Sequence, residues 1–272
     1  MSTLHVSKYG RAGNGPELVL LHGWGSSSKI WQPCIARLAE ELHVWCVDLP
    51  GHGKSHDIIW DRSVGQGLTL LANALPQRCV LIGWSLGGLL AQLYVNQYPE
   101  RVQSLMLIGS TPKFVSAKDW LHAMQISTFQ QFVKQYDASP QETLKKFIAL
   151  QVLHGKSLKP IMLNLEQASI GQQADLNLCN IRWGLDWLLK IDLRETFASL
   201  GLPVILFHGV NDQVSPICAA EQAADLCKLA QLFKVTRAGH VPFLSHSEQF
   251  IDQVKLMYAK LSSPSTGSIE RV

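Results

Sequence analysis

Six short apolar runs recur along the chain, at Leu18–His22, His43–Asp48, Cys79–Trp84, Ser104–Gly109, Pro203–His208 and Leu232–Arg237, with amphipathic stretches between them. A strand that is apolar at nearly every position must be covered on both faces, which is the situation of a strand in a parallel sheet flanked by helices. The stretches Ile30–Leu42, Leu86–Tyr98, Ile217–Leu229 and Glu248–Leu261 repeat their apolar residues at helical spacing and would supply that cover. The expected fold is therefore α/β: a mostly parallel central sheet with helices on both faces, and Thr3–Tyr9 as an antiparallel edge strand.

The alternation stops between about residues 112 and 199, where helical periodicity continues without a convincing strand until Pro203. This predicts a core built from residues 1–111 and 200–261, interrupted by a helical lid over 112–199. Residues 262–272 are rich in Ser, Pro and Gly and have almost nothing to bury, as expected of a disordered tail. A length of 272 residues suits one such domain with an insertion.

Composition excludes several classes. The N-terminus lacks the basic start and apolar stretch of a signal peptide, and no apolar run reaches the roughly 18–20 residues that span a bilayer. The expectation is a soluble, cytoplasmic monomer with no membrane contact. A net charge of +3 is too small for a nucleic-acid partner. The six cysteines, Cys34, Cys46, Cys79, Cys179, Cys218 and Cys227, show neither a CxxC pair nor zinc spacing and read as free thiols. No cofactor or metal is implied.

Gly83-Trp84-Ser85-Leu86-Gly87 fits G-x-S-x-G where the run CVLIGW ends and the helical pattern LGGLLAQLYVNQY begins. That strand-turn-helix setting separates a nucleophile elbow from a chance pentapeptide. Its glycines let the backbone turn sharply, and the helix directs its free N–H groups at the serine. A serine hydroxyl is a weak nucleophile at neutral pH; it needs a base to take its proton and a third group to fix the base. Asp212 follows PVILFHG and His240 follows LFKVTRAG, so both fall where strands end, and the order is Ser, acid, His. His208, inside a strand, and His246, where a helix should begin, compete with His240 as base. Asp48 competes with Asp212. The HG-x-G turn after the first parallel strand completes the chemistry: backbone N–H groups of Trp24 and Leu86 would form an oxyanion hole.

HGWG, DLPGHGKS, GWSLGG, HGVNDQVSP and AGHVPF together resemble the α/β-hydrolase superfamily over nearly the whole chain. Within it, HGWG, GWSLGG, the segment Lys146-Phe147-Ile148-Ala149-Leu150-Gln151, the run Ile191-Asp192-Leu193-Arg194 and His240-Val241-Pro242-Phe243 are similar to the pimeloyl-[acyl-carrier protein] methyl ester esterases of biotin synthesis. The resemblance implies hydrolysis of a methyl ester on a carrier-bound acyl chain. It implies acyl contacts at Trp24, Leu86 and His240, and lid contacts at Phe147, Ile148, Ala149, Leu150 and Gln151. His52 and Lys54 depart from it, standing where members often carry an aromatic and an arginine, and Ser116–Asp137 shows no motif that aligns. The shared elbow leaves other readings open: a general short-chain carboxylesterase, a C–C bond hydrolase, or a hydrolase-like ligand receptor.

Residues 113–165 carry seven lysines and three acids. Acyl-carrier proteins are acidic, so Lys145, Lys146, Lys156 and Lys159 are the expected docking residues; a solvated helical face is the plainer reading of the same charges. A fluorophosphonate should label Ser85 once per chain, because an activated serine attacks such reagents. Mass mapping of the adduct to any other serine would refute the elbow assignment.

Overall fold

Successive residues of a strand face opposite sides, so a continuous apolar run must feed two cores at once. The computed structural model, which describes residues 3–13, 15–152, 158–169, 178 and 180–262, sorts them in this way. Among these residues the strands are β1 (Val6–Tyr9), β2 (Glu17–Leu21), β3 (Val44–Val47), β4 (Cys79–Trp84), β5 (Val102–Ile108), β6 (Val204–Gly209) and β7 (Ala230–Val235), in spatial order β1-β3-β2-β4-β5-β6-β7. Only β1 is antiparallel, at the edge against β3. Leu18, Leu20, Val80, Ile82, Met106 and Ile108 enter one core, with α1 (Gln32–Leu38) and α11 (Ser247–Ser262). Val19, Leu21, Leu81, Leu105, Leu107 and Leu206 enter the other, with α2 (Val64–Ala74), α3 (Leu86–Gln97) and α9 (Ile217–Leu226). β4 lies centrally, and all six of its residues are buried.

The differences from expectation are local. The helix expected from Ile30 begins with a 3₁₀ turn at Ser28–Trp31 and ends at Leu38; Pro33 sits at its start, where a missing N–H costs nothing. α2 was hidden by Gly65 and Gly67, which lower helix propensity; Ser63 caps it by accepting the Gln66 N–H at 3.2 Å.

Between β5 and β6 lie α4 (Ile126–Ala138), α5 (Pro140–Val152), α6 (Leu158–Ala168), α7 (Arg182–Lys190) and α8 (Arg194–Ala198). The two ends of this insertion are stapled together. Lys113 bridges Asp192 in both backbone and side chain, the Nζ–Oδ2 distance being 2.9 Å, and the Leu193 N–H donates to Pro112 O. Arg194 closes the staple by bonding Asp192 and Asp119. Lys156, Cys179 and residues 263–272 lie outside the described residues. Among the described residues no helix is long and apolar enough to cross a membrane.

Burial works against the charge of Asp192, yet the hydrogen bonds from Arg194 and Lys113 outweigh it and hold the carboxyl down at about 2. A depressed carboxylate contributes stability that is complete above its unfolded value of about 4 and is lost as pH falls toward its folded value. Asp192→Asn should therefore cost about 1 kcal/mol at neutral pH, a figure discounted because the side chain is 33% exposed. Urea unfolding of both proteins should show that gap closing below about pH 4; a gap constant with pH would remove the ion pair as its source.

Candidate active site

β4 ends in a turn that only small flanking residues permit. Ser85 sits at φ 53° and ψ −116°, in the positive-φ region that costs a non-glycine residue of order 1–3 kcal/mol. A Cβ at Gly83 would strike the Gly87 backbone, and one at Gly87 would lie 2.6 Å from His22 O. The elbow therefore nests directly against the turn that follows β2. Backbone bonds hold it: the Ser85 N–H donates to Ile108 O at 2.9 Å, and the Gly88 N–H donates to Ser85 O.

Asp212 follows β6, and its carboxylate is fully used. Oδ1 accepts the N–H groups of Val214 at 2.8 Å and Ser215 at 2.9 Å, while Oδ2 lies 2.8 Å from His240 Nδ1. Burial opposes its ionisation, but the charge and hydrogen bond of His240 outweigh burial and hold Asp212 below the usual carboxylate range. An anionic Oδ2 only accepts, so Nδ1 of His240 carries the proton and Nε2 is left as a base. Nε2 has no hydrogen-bond partner among the described residues, and the His240 side chain is wholly buried. Two backbone bonds place the histidine. Trp84, the residue before Ser85, donates its indole N–H to His240 O at 2.9 Å, and the His240 N–H donates to Gln151 O on α5 at 2.9 Å. Gly109, one residue beyond the Ile108 carbonyl that holds Ser85, lies against the pair: a Cβ there would sit 2.9 Å from His240 Nδ1.

The competing residues have other partners. His208 Nε2 is 2.6 Å from Ser215 O and 3.5 Å from Asp212 Oδ2, so it braces the loop that carries the acid; burial keeps its pKa below the ordinary value. His246 ends α10 (Pro242–Ser245) and meets the Ser245 hydroxyl at 2.9 Å. Asp48 accepts the Ser28 N–H at 2.7 Å and the Lys54 N–H at 3.0 Å, clasping two loops.

Trp24 lies in the turn after β2, and Leu86 is the first residue of α3. Neither backbone N–H has an acceptor among the described residues. The insertion packs on both side chains. The Trp24 indole donates to Ile181 O at 2.9 Å and meets Phe132, Tyr136 and Phe147 edge-on with centroids 5.0–5.7 Å away. Gly184 of α7 faces both: a Cβ there would lie 2.8 Å from the Trp24 side chain and 2.6 Å from that of Leu86.

The five residues expected as lid contacts do not share a surface, because five consecutive residues exceed one helical turn. Phe147 packs edge-on to Trp24 and Leu150 lies against the same core cluster, whereas Ile148 enters the opposite core cluster with Val241 and Phe243. Gln151 is buried against His240. Ala149 is exposed. Lys145, Lys146 and Lys159 are exposed, with Lys145 3.2 Å from Glu142, and Lys113 is taken by Asp192. Sequence reasoning missed the Gln151 carbonyl and the grip of α7 on Trp24, since backbone acceptors and interhelical contacts leave no local pattern.

The sequence model of the α/β hydrolase fold family matches residues 16–247. The chain is 37% identical over 251 residues to the pimeloyl-[acyl-carrier protein] methyl ester esterase of Nitrosomonas europaea, covering 92% of this chain and 98% of that protein. It is 35% identical over 243 residues to the protein of the same name from Pseudoalteromonas atlantica, covering 88% and 93%. Among solved structures it is similar to an esterase from Exiguobacterium antarcticum, with a TM-score of 0.82, 22% identity, and 95% and 100% of the two chains covered. A bromoperoxidase from Bacillus anthracis superposes with a TM-score of 0.83 at 19% identity over 93% and 94%. Likeness at those identities shows the fold alone.

The partners of the two aspartates separate their expected phenotypes. Asp212→Asn should lower kcat by on the order of 10⁴, since an amide favours the wrong histidine tautomer. Asp48→Asn should keep kcat within about tenfold and lower the thermal midpoint instead, because it weakens bonds that hold loops. Steady-state rates and melting curves of both variants check this; a larger kcat loss at Asp48 would reverse the assignment.

Proposed function

Because the chain belongs to the α/β-hydrolase fold family, and within it to the pimeloyl-[acyl-carrier protein] methyl ester esterases, we propose that it hydrolyses the methyl ester of a pimeloyl chain borne by acyl-carrier protein, in the cytoplasm, with Ser85, His240 and Asp212 as its catalytic residues. The observation that carries the reading is the buried His240, oriented by Asp212 at 2.8 Å with Nε2 unpaired and tethered through Trp84 to the strained Ser85.

The steps follow from that geometry. Ser85 Oγ attacks the ester carbonyl while His240 Nε2 takes its proton, and the carbonyl π electrons move onto oxygen. The N–H groups of Trp24 and Leu86 receive that oxyanion, and Asp212 stabilises the imidazolium. Collapse expels methoxide, which leaves as methanol with the proton from His240. Water then attacks the acyl-enzyme with His240 again as base, and the second collapse releases the free carboxylate and restores Ser85. Phe132, Tyr136 and Phe147 around Trp24 supply an aromatic wall for the acyl chain. The exposed Lys145, Lys146 and Lys159 supply positive charge for an acidic carrier.

Methanol release from purified methyl-pimeloyl carrier tests the proposal, with 4-nitrophenyl butyrate as the comparison substrate. Ser85→Ala should abolish both activities, a loss on the order of 10⁶. Reversing Lys145, Lys146 and Lys159 to Glu should raise KM for the carrier ester, more at low salt than at high, and leave the small ester unchanged. A wild type that cleaves the small ester and not the carrier ester would make the protein a general carboxylesterase.

A further inference from the structure

A backbone N–H stabilises an oxyanion only if its peptide plane is held in one orientation before the reaction begins. Trp24 belongs to no helix or strand, and of the two planes that flank it only the first has a backbone bond, the long turn bond from Ser26 N–H to Gly23 O at 3.3 Å. Two fully buried histidines outside the catalytic group occupy that position. His22 and His52 stand with ring centroids 5.1 Å apart, at 0% exposure each. His22 Nδ1 is 2.8 Å from Gly23 O, and its Nε2 accepts the Leu49 N–H at 3.0 Å. His52 Nδ1 is 3.0 Å from Pro50 O, and its Nε2 accepts the Gly25 N–H at 3.2 Å.

A carbonyl only accepts, so both rings carry their proton on Nδ1 and leave Nε2 bare. Burial lowers both pKa values, and at His52 the neighbouring His22 lowers it further, so the two are neutral. The Gly23 carbonyl and the Trp24 N–H belong to one trans peptide plane and point in opposite directions. The His22 bond therefore aims the Trp24 N–H, and polarises that amide as it does so. The Gly25 N–H belongs to the next plane, and His52 holds it. The insertion reaches the same clamp: Trp183 of α7 donates its indole N–H to Pro50 O at 3.1 Å and stands edge-on to His52.

We propose that His52 is a positioning residue of the oxyanion hole, which with His22 clamps the two peptide planes on either side of Trp24. The inference rests on the reading of Trp24 and Leu86 as the hole. It concerns kcat, because a hole held in the wrong orientation still admits substrate but fails the tetrahedral intermediate.

Glutamine can place an acceptor where Nε2 lies, whereas asparagine can replace only the Nδ1 donor. With 4-nitrophenyl butyrate, His52→Gln should keep kcat within about fivefold, and His52→Asn should lose about 10–100-fold in kcat with KM within about threefold. The Ki of a trifluoromethyl ketone, which forms a tetrahedral adduct on the serine, should rise for His52→Asn by the factor lost in kcat/KM. Rates are taken per Ser85 titrated with fluorophosphonate, so unfolded protein drops out. Should the asparagine variant not accumulate, His52→Ser gives the second reading: a lowered kcat that added imidazole restores. Equal kcat for Asn and Gln, a loss carried by KM alone, an unmoved ketone Ki, or a serine variant with wild-type kcat overturns the positioning role and leaves the esterase reading intact. A wild type that neither reacts with fluorophosphonate nor cleaves the ester overturns both.

Discussion

Six parallel strands, β2 through β7, end on one edge of the sheet, and the candidate active site depends on that shared edge. A parallel ladder brings the last residues of non-adjacent segments side by side: Leu21 pairs with both Val47 and Gly83, Trp84 with Ile108, and Ile108 with Phe207. The loops leaving this edge carry Trp24, Asp48, Ser85, Asp212 and His240 to the same end of the sheet. Each loop is then anchored by bonds to its neighbours, such as Trp84 to His240 and Ser85 to Ile108. The serine's strained backbone is held because the strand behind it is buried along its whole length.

Among the described residues four buried histidines lie around this edge, and the partners of their nitrogens tell them apart. His22 and His52 each give Nδ1–H to a carbonyl and accept a backbone N–H, so both are saturated structural groups. His208 spends Nε2 on Ser215 and leans on Asp212. Of the four, only His240 hydrogen-bonds a carboxylate, at 2.8 Å; the 3.5 Å approach of His208 to Asp212 is longer than its 2.6 Å bond to Ser215 O. The fully buried Asp212 is tolerable because three N–H groups converge on it, two from its own loop and one from His240.

The insertion is continuous with the site. α5 receives the His240 N–H, α7 packs on Trp24 and Leu86 and bonds Pro50, and the Ser27 hydroxyl bonds Ala168 at the end of α6. Its root is closed by the Lys113, Asp192 and Arg194 network, which gives the run Ile191–Arg194 a structural role.

What the sequence by itself determined is the part encoded in local patterns. Continuous apolar runs made the strands, the glycines around Ser85 made the elbow, and the positions of Asp212 and His240 after strands placed them at the edge where the parallel strands end. Tertiary structure decided which of several chemically equivalent side chains come together. Asp48 and Asp212 both follow strands, and only their partners, loop N–H groups in one case and His240 in the other, separate them. His52 read as a departure from a motif until its ring was seen to meet the Gly25 N–H, contributed from 27 residues away. Ala149 shares a motif with Phe147 and Ile148, and the turn of α5 puts it on an exposed face while Ile148 is buried. The reason is common to all three: periodicity records whether a residue is buried, whereas hydrogen-bond partners and helix faces are set by packing between segments distant in the chain.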